Sequence, residues 1–423
     1  MDRIQRNIPH PTTGQATRGE RMIRPLVIGA CLFVSALPAL AAEDFLDEVD
    51  RALTISTFDD QLRARVSGLF DLEYYNLPQP PPGLIQADDH NLFVPRLTLF
   101  LDAKAGPHIY IFAQTRVDTG FDPREQGWQW RADEYAVRFT PWDDGRFNLQ
   151  VGKFSTVIGG WIERHLSWEN PFVNAPLPYE NPTLVSDIEV PLAAYSFRNL
   201  PAAYKYAFLP IIWGPAYTIG ASVSGKLGIF EYAAAVKNAP PASRPETWSD
   251  YDFAYPAVEL RLGLQPNEAW HFGISATEGP YLTSAADRYL YDTSRGDYLQ
   301  MLLGQDVSWA RGHWQVWAEA FEARFEVPGL GNSDVFSYYV ETRYQITPQL
   351  FGALRWNQEF FASDDDPHGQ PIANGHDVWR AEAALGYRFT AHTQLKVQYS
   401  LARGDFVSED LNGTFAAQLT IRF

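Results

Sequence analysis

The segment "ERHLSWEN" at 163–170 gathers Glu163, His165, Ser167, Glu169 and Asn170 into eight residues. A hydroxyl, an imidazole and carboxylates are the parts of an acyl-transfer triad, which would hydrolyse an ester or an amide. Such triads are assembled by the fold from distant positions, so adjacency within one stretch carries little weight. No G-x-S-x-G elbow, Walker loop or metal-ligand spacing accompanies it. Of nine histidines one falls in the first 41 residues, and the other eight are scattered singly. The reading is therefore non-enzymatic, with no cofactor and no metal. What the same residues can do is place charge of both signs, through Glu163, Arg164, His165 and Glu169, on one short segment.

Charges elsewhere follow a strict rule of place. In "RLTLFLDAK" Leu97, Leu99, Leu101 and Ala103 alternate with Arg96, Thr98, Phe100, Asp102 and Lys104. In "HIYIFAQTRVD" Ile109, Ile111, Ala113, Thr115 and Val117 alternate with Gln114, Arg116 and Asp118. Period two is the signature of a strand with one apolar and one polar face. Sorted by this parity, one face carries Arg63, Arg65, Arg96, Lys104, Arg116, Arg138, Arg146, Arg261, Arg343, Arg355, Arg380, Arg388, Lys396 and Arg422. The same face carries Asp71, Glu73, Asp102, Asp118, Glu134, Glu259, Asp306, Glu319, Glu341, Glu359 and Glu382. Two readings fit this near balance: ion-pair networks that stiffen a wall, or a transverse field across an aqueous passage.

The pattern recurs in about 16 segments: 62–76, 91–104, 108–118, 131–142, 146–155, 216–225, 228–238, 252–264, 268–279, 297–309, 313–326, 335–346, 349–360, 376–389, 393–404 and 413–423. Short connections at 105–107, 143–146, 225–228, 265–268, 310–313, 347–349 and 390–393 alternate with longer ones. The longer ones lie at about 77–90, 119–130, 156–215, 239–251, 281–296, 328–334, 361–375 and 405–412. Short turns at one end and long loops at the other, with an even strand number, are the outer-membrane barrel rule. The fold class expected is thus all-β, a transmembrane antiparallel up-and-down β-barrel. One further hairpin inside 190–215 would make 18 strands. Tyr74, Trp270, Trp309, Trp314, Trp356, Tyr387, Phe389 and Phe423 fall near strand ends on the apolar parity, where interfacial rings belong. The closing "TFAAQLTIRF" keeps that parity to Phe423, as a strand against lipid requires.

Compartment and partners follow from the rest of the chain. Arg24, the apolar run from Leu26 and the small residues Ala39 and Ala41 read as a signal peptide over 1–41, with Met22 an alternative start. A lipoprotein signal at Cys31, the single cysteine, is the competing reading. Residues 42–61 form a short periplasmic segment, with Phe45, Leu46, Val49 and Leu53 at helical spacing. The formal net charge is −17. Removing 1–41 takes five basic and two acidic residues and leaves −20, which excludes nucleic acid as a partner. The connection 156–215 is too long to lack a role. Its eight prolines and its Trp161, Leu166, Trp168, Phe172 and Leu177 imply that it folds into the lumen. There it would set Glu163, Arg164, His165 and Glu169 opposite Arg96, Arg116, Glu134 and Arg138 of the second to fourth strands.

Barrel count, long third loop and terminal Phe together resemble the trimeric general porins and their substrate-selective relatives. The resemblance implies a water-filled channel for small hydrophilic solutes, a homotrimer in outer-membrane lipid and lipopolysaccharide, and recognition of Phe423 by the assembly machinery. Locally, "NLQVGKFSTVIGGW" at 148–161 is similar to the phosphate-selective porin O/P family. That family's path is rich in lysine and arginine, whereas this chain has six lysines, of which Lys104 and Lys396 lie on the inward parity.

Overall fold

The computed structural model describes residues 45–49, 51–57, 61–119, 127–188, 207–365, 371–373, 375–404 and 410–423. Sixteen strands form one closed antiparallel ladder: β1 (Leu62–Asn76), β2 (Asn91–Ala105), β3 (Ile109–Asp118), β4 (Gln129–Phe139), β5 (Asn148–Phe154), β6 (Thr218–Leu227), β7 (Phe230–Lys237) and β8 (Ala257–Asn267), followed by β9 (Trp270–Pro280), β10 (Leu299–Arg311), β11 (Trp314–Val327), β12 (Gly331–Gln345), β13 (Leu350–Phe361), β14 (Val378–Arg388), β15 (Thr393–Arg403) and β16 (Asn412–Arg422). Each strand pairs with the next, and β16 returns to β1 from Phe415↔Asn76 to Arg422↔Leu69. Closure leaves no unpaired edge, the condition for a sheet in hydrocarbon. A short strand, Thr54–Thr57, adds to the lower end of β1, and residues 45–49 and 51–52 before it are helical. Residues 1–41, with both signal readings, lie outside the described residues.

The barrel is apolar outside and polar inside. Leu260, Leu262, Leu354 and Leu385 are more than half exposed, while Glu259, Glu341, Asn357 and Lys396 are fully buried. A soluble sheet protein would invert this arrangement, because bare leucine belts are stable only against lipid. The protein is therefore an outer-membrane β-barrel. Interfacial rings sit as parity requires: Trp270 and Trp309 pack at 6.1 Å, Trp314 and Tyr344 at 4.6 Å, and Tyr387 and Phe389 at 5.0 Å. Phe423 continues the closing ladder through two backbone bonds with Gly68, at 2.8 and 3.1 Å. Its ring lies on Gly68, where a Cβ would come within 2.4 Å of it.

Several connections differ from expectation in their bounds, and two show why. Residues 328–334 read as a long loop, yet Asn332 and Ser333 pair with Glu326 and Phe325, leaving a turn of 328–330. The polar "GNSD" run extends the hairpin instead, and Arg324 and Asp334 form an exposed pair at 2.7 Å on its outer face. The turn expected at 225–228 lies at 228–229, because Gly225 is still in the ladder against Tyr232 and only Gly228 takes the positive φ, 63°.

At the long-loop end Asp187 joins three connections. Its carboxylate pairs with Arg244 at 2.8 Å, both side chains fully buried. Its carbonyl accepts from the backbone and hydroxyl of Thr283 at 2.9 and 3.1 Å. The loops after β5, β7 and β9 are thereby tied at one point.

Candidate functional site

The long connection after β5 starts at "VIGGW". Gly159 adopts φ 79°, and a Cβ there would meet the Tyr179 hydroxyl at 2.2 Å. The inward Glu319 of β11 accepts from the Gly160 and Trp161 amides, the former at 2.7 Å, and from the Tyr179 hydroxyl. Further along, Lys396 of β15 donates to the carbonyls of Ser167, Asn170 and Phe172 at 2.7, 2.8 and 2.9 Å. Gln398 accepts from the Val173 amide at 2.7 Å, Asn357 from Leu177 at 3.2 Å and Glu259 of β8 from Val157 at 3.0 Å. Inward polar side chains of β8, β11, β13 and β15 thus satisfy a loop backbone that forms no strand ladder among its described residues.

The connection also builds a core. Ile158, Trp161, Ile162, Tyr179, Leu209, Ile211, Ile212 and Trp213 pack with Leu302 of β10, Phe321 and Phe325 of β11, and Val335 and Tyr339 of β12. Trp161 and Tyr179 rings lie 4.7 Å apart. Space remains on the opposite side. A cavity of about 400 Å³ lies between the loop and β1–β3, lined among others by Asp71, Glu73, Arg96, Gln114, Arg116, His165 and Glu180.

Three of the eight residues expected at a constriction meet at this cavity. Arg96 lies between Glu73 at 2.9 Å and Asp118 at 3.4 Å, and Arg116 between Asp118 at 3.3 Å and Asp133 at 2.9 Å. His165 faces them from the loop, with Nδ1 2.5 Å from the Ile162 carbonyl and Nε2 2.6 Å from the Tyr217 hydroxyl. Burial pushes the His165 imidazole down to about 4, and the Arg116 charge adds to the effect, so the ring is neutral. In that state Nδ1 donates to the carbonyl and Nε2 accepts from Tyr217.

The other five lie elsewhere. Arg164 does not face the second to fourth strands: its guanidinium bonds to Glu341 and, at 3.1 Å, to Tyr339, both on β12, and stacks over Trp317 at 4.3 Å. Its place in a helical turn, Trp161–Arg164, sends it to the opposite wall from His165. Glu163 and Glu169 are exposed and do not line the cavity. Glu134 accepts from the Ser155 amide at 2.9 Å, and Arg138 is held by Gln150 at 2.8 Å, both outside the cavity lining.

Strict alternation missed Arg131 and Asp133. β4 carries a bulge: Gln114 opposes Glu134, but the next residue, Thr115, opposes Ala132, so Asp133 has no opposite number. The insertion reverses parity beyond it and turns Arg131 inward, opposite Arg116. Arg131 pairs with Asp118 at 3.2 Å and Asp133 at 3.5 Å. The signal available in the sequence was the adjacent pair Asp133–Glu134, two acids where alternation allows one inward.

A closed 16-stranded barrel with an apolar outer belt, a charged inner wall and a long loop bound to that wall is the porin fold. No family model matches the sequence, and no curated protein matches it. Solved structures do match. The outer-membrane channel DcaP of Acinetobacter baumannii is similar with a TM-score of 0.56 and 11% identity, over 87% of this chain and all of that one. The anion-selective porin of Comamonas acidovorans follows with 0.54 and 7% identity, over 86% and 100%. OmpT of Vibrio cholerae, an outer-membrane protein described in a trimer form, gives 0.52 and 9%, over 86% and 99%.

Proposed function

We propose that the protein is a porin, a water-filled channel for passive or weakly selective diffusion of small hydrophilic solutes across the outer membrane. The observation that supports this most is the cavity beside β1–β3, inside a closed barrel and lined by charged wall residues. A barrel of this strand number leaves room for an aqueous lumen unless it is filled. The loop's packed core occupies the β10–β12 side, so the passage is eccentric and runs along β1–β3, with Arg96, Arg116 and His165 at its narrow part. The trimer form described for OmpT supports a homotrimer here as well.

Reconstitution in planar bilayers tests the reading. Stepwise conductance in KCl is expected, in multiples of three for a trimer. Silence from protein shown to be folded would overturn it, and lipid hydrolysis by the same sample would replace it with an enzymatic one.

A further inference from the structure

Two features of the cavity are unlike a uniformly polar pore. The first is an apolar patch at its upper end. Leu84 and Ile85 of the β1–β2 connection, Leu92 and Val94 of β2, and Val173 of the long loop line it together with Tyr75. Ile85, Leu92 and Val173 pack on the small cluster of Tyr75 and Val94, and all three remain half-buried rather than covered. The second is the balance of charge. Each lining arginine already lies between two carboxylates: Arg96 between Glu73 and Asp118, Arg116 between Asp118 and Asp133. Glu180 pairs with Arg380. Asp71, by contrast, lines the cavity with one hydrogen bond, from the Thr420 hydroxyl at 2.6 Å, and no ion pair among the described residues. Asp88 at the same upper end is exposed and likewise without an ion pair among them.

Four carboxylates, Asp71, Glu73, Asp88 and Glu180, line the cavity against two arginines, Arg96 and Arg116, while the nearby Lys396 is turned to loop carbonyls, and this balance favours a positive solute. Asp71 and Tyr75 are four residues apart on one strand, about 13 Å along it. We infer that the passage preferentially takes amphipathic organic cations, the cationic end near Asp71 and an apolar or aromatic body against Ile85, Leu92, Val94 and Val173. This rests on the channel reading above and narrows it from small solutes in general to one class.

The test measures the concentration of each probe that halves the single-channel KCl current of the reconstituted full-length protein. Benzyltrimethylammonium is compared with choline, which has the charge without the ring, and with benzenesulfonate, which has the ring and the opposite charge. Benzyltrimethylammonium should halve the current at a concentration about fivefold below choline, the gain expected from burying part of a ring. Benzenesulfonate should have no effect at that concentration. Ile85→Asn should raise the benzyltrimethylammonium value to that of choline, and Asp71→Asn should raise the values for both cations. Should Asp71→Asn fail to fold, Ile85→Asn lies in a connection outside the strands and decides alone. Equal potency of choline and benzyltrimethylammonium, or block by benzenesulfonate, overturns the inference while the KCl current leaves the channel reading standing. Absence of KCl current overturns both.

Discussion

His165 is held in the neutral state by the loop that carries it. Its pKa in the folded protein, about 4, is below that of an unfolded histidine near 6.5. The unfolded chain therefore binds the extra proton between these values, and stability present above pH 6.5 is lost as the pH falls towards 4. Heat-modifiability on gels, followed from pH 7 to 4, should show the melting temperature falling across this window, and less so in His165→Gln, which keeps an acceptor for Tyr217. Arg164 is a different case. Arg164→Ala would leave Glu341, fully buried, with Arg355 at 3.3 Å as its remaining ion-pair partner. Leaving a buried charge with no partner costs about 3–5 kcal/mol, and because Glu341 keeps Arg355 the loss here is smaller. The expected result is a lower melting temperature with little change in reversal potential, because Arg164 does not border the cavity. Arg116→Ala, which takes one of three arginines from Asp118 and one of two from Asp133, should instead move the reversal potential towards cations. That shift should be larger at 0.1 M salt than at 1 M, where the Debye length is only about 3 Å.

Among the elements, the connection after β5 bounds the cavity on the side facing β1–β3, and Lys396 is one of its anchors. Charged hydrogen bonds contribute about 1.5–3 kcal/mol each, and Lys396 makes three to loop carbonyls. Lys396→Met should loosen the loop, visible as larger and noisier single-channel currents. Deleting 162–170 should raise conductance further, and an unchanged current in a folded deletion would place the constriction elsewhere. Strand positions were legible in the sequence because lipid outside and water inside impose period two on every strand. The strand ends were less so. Asn332 and Ser333 look like loop residues, and only their partners Glu326 and Phe325 on β11 make them strand. The inward placement of Arg96 and Arg116 at the cavity was legible, because β2 and β3 carry no extra residue, and that of Arg131 and Asp133 was not, because a bulge is set by the fit of β4 to β3. Arg164 and His165 were legible as loop charge, but the helical turn that sends them to opposite walls has no periodic signal.

At the scale of the whole molecule, closure depends on the seam between β16 and β1. Phe423 fills the space that Gly68 leaves, so Gly68→Val forces the ring away and Phe423→Ser empties the site. Each variant should lower the yield of heat-modifiable protein, Gly68→Val by overpacking worth about 1–3 kcal/mol. Normal assembly of both would show that the seam needs only its backbone bonds. The opposite end of the barrel is organised by Asp187, which ties the loops after β5, β7 and β9 together. If this long-loop end faces outward, an antibody or bacteriophage that recognises it meets a composite epitope, drawn from three separated stretches of chain. Escape then has an economical route: one substitution at Asp187 or Arg244, both buried, would break the pair that joins the loops after β5 and β7 and so reshape two stretches at once, while the Thr283 bonds to the Asp187 backbone carbonyl hold the third.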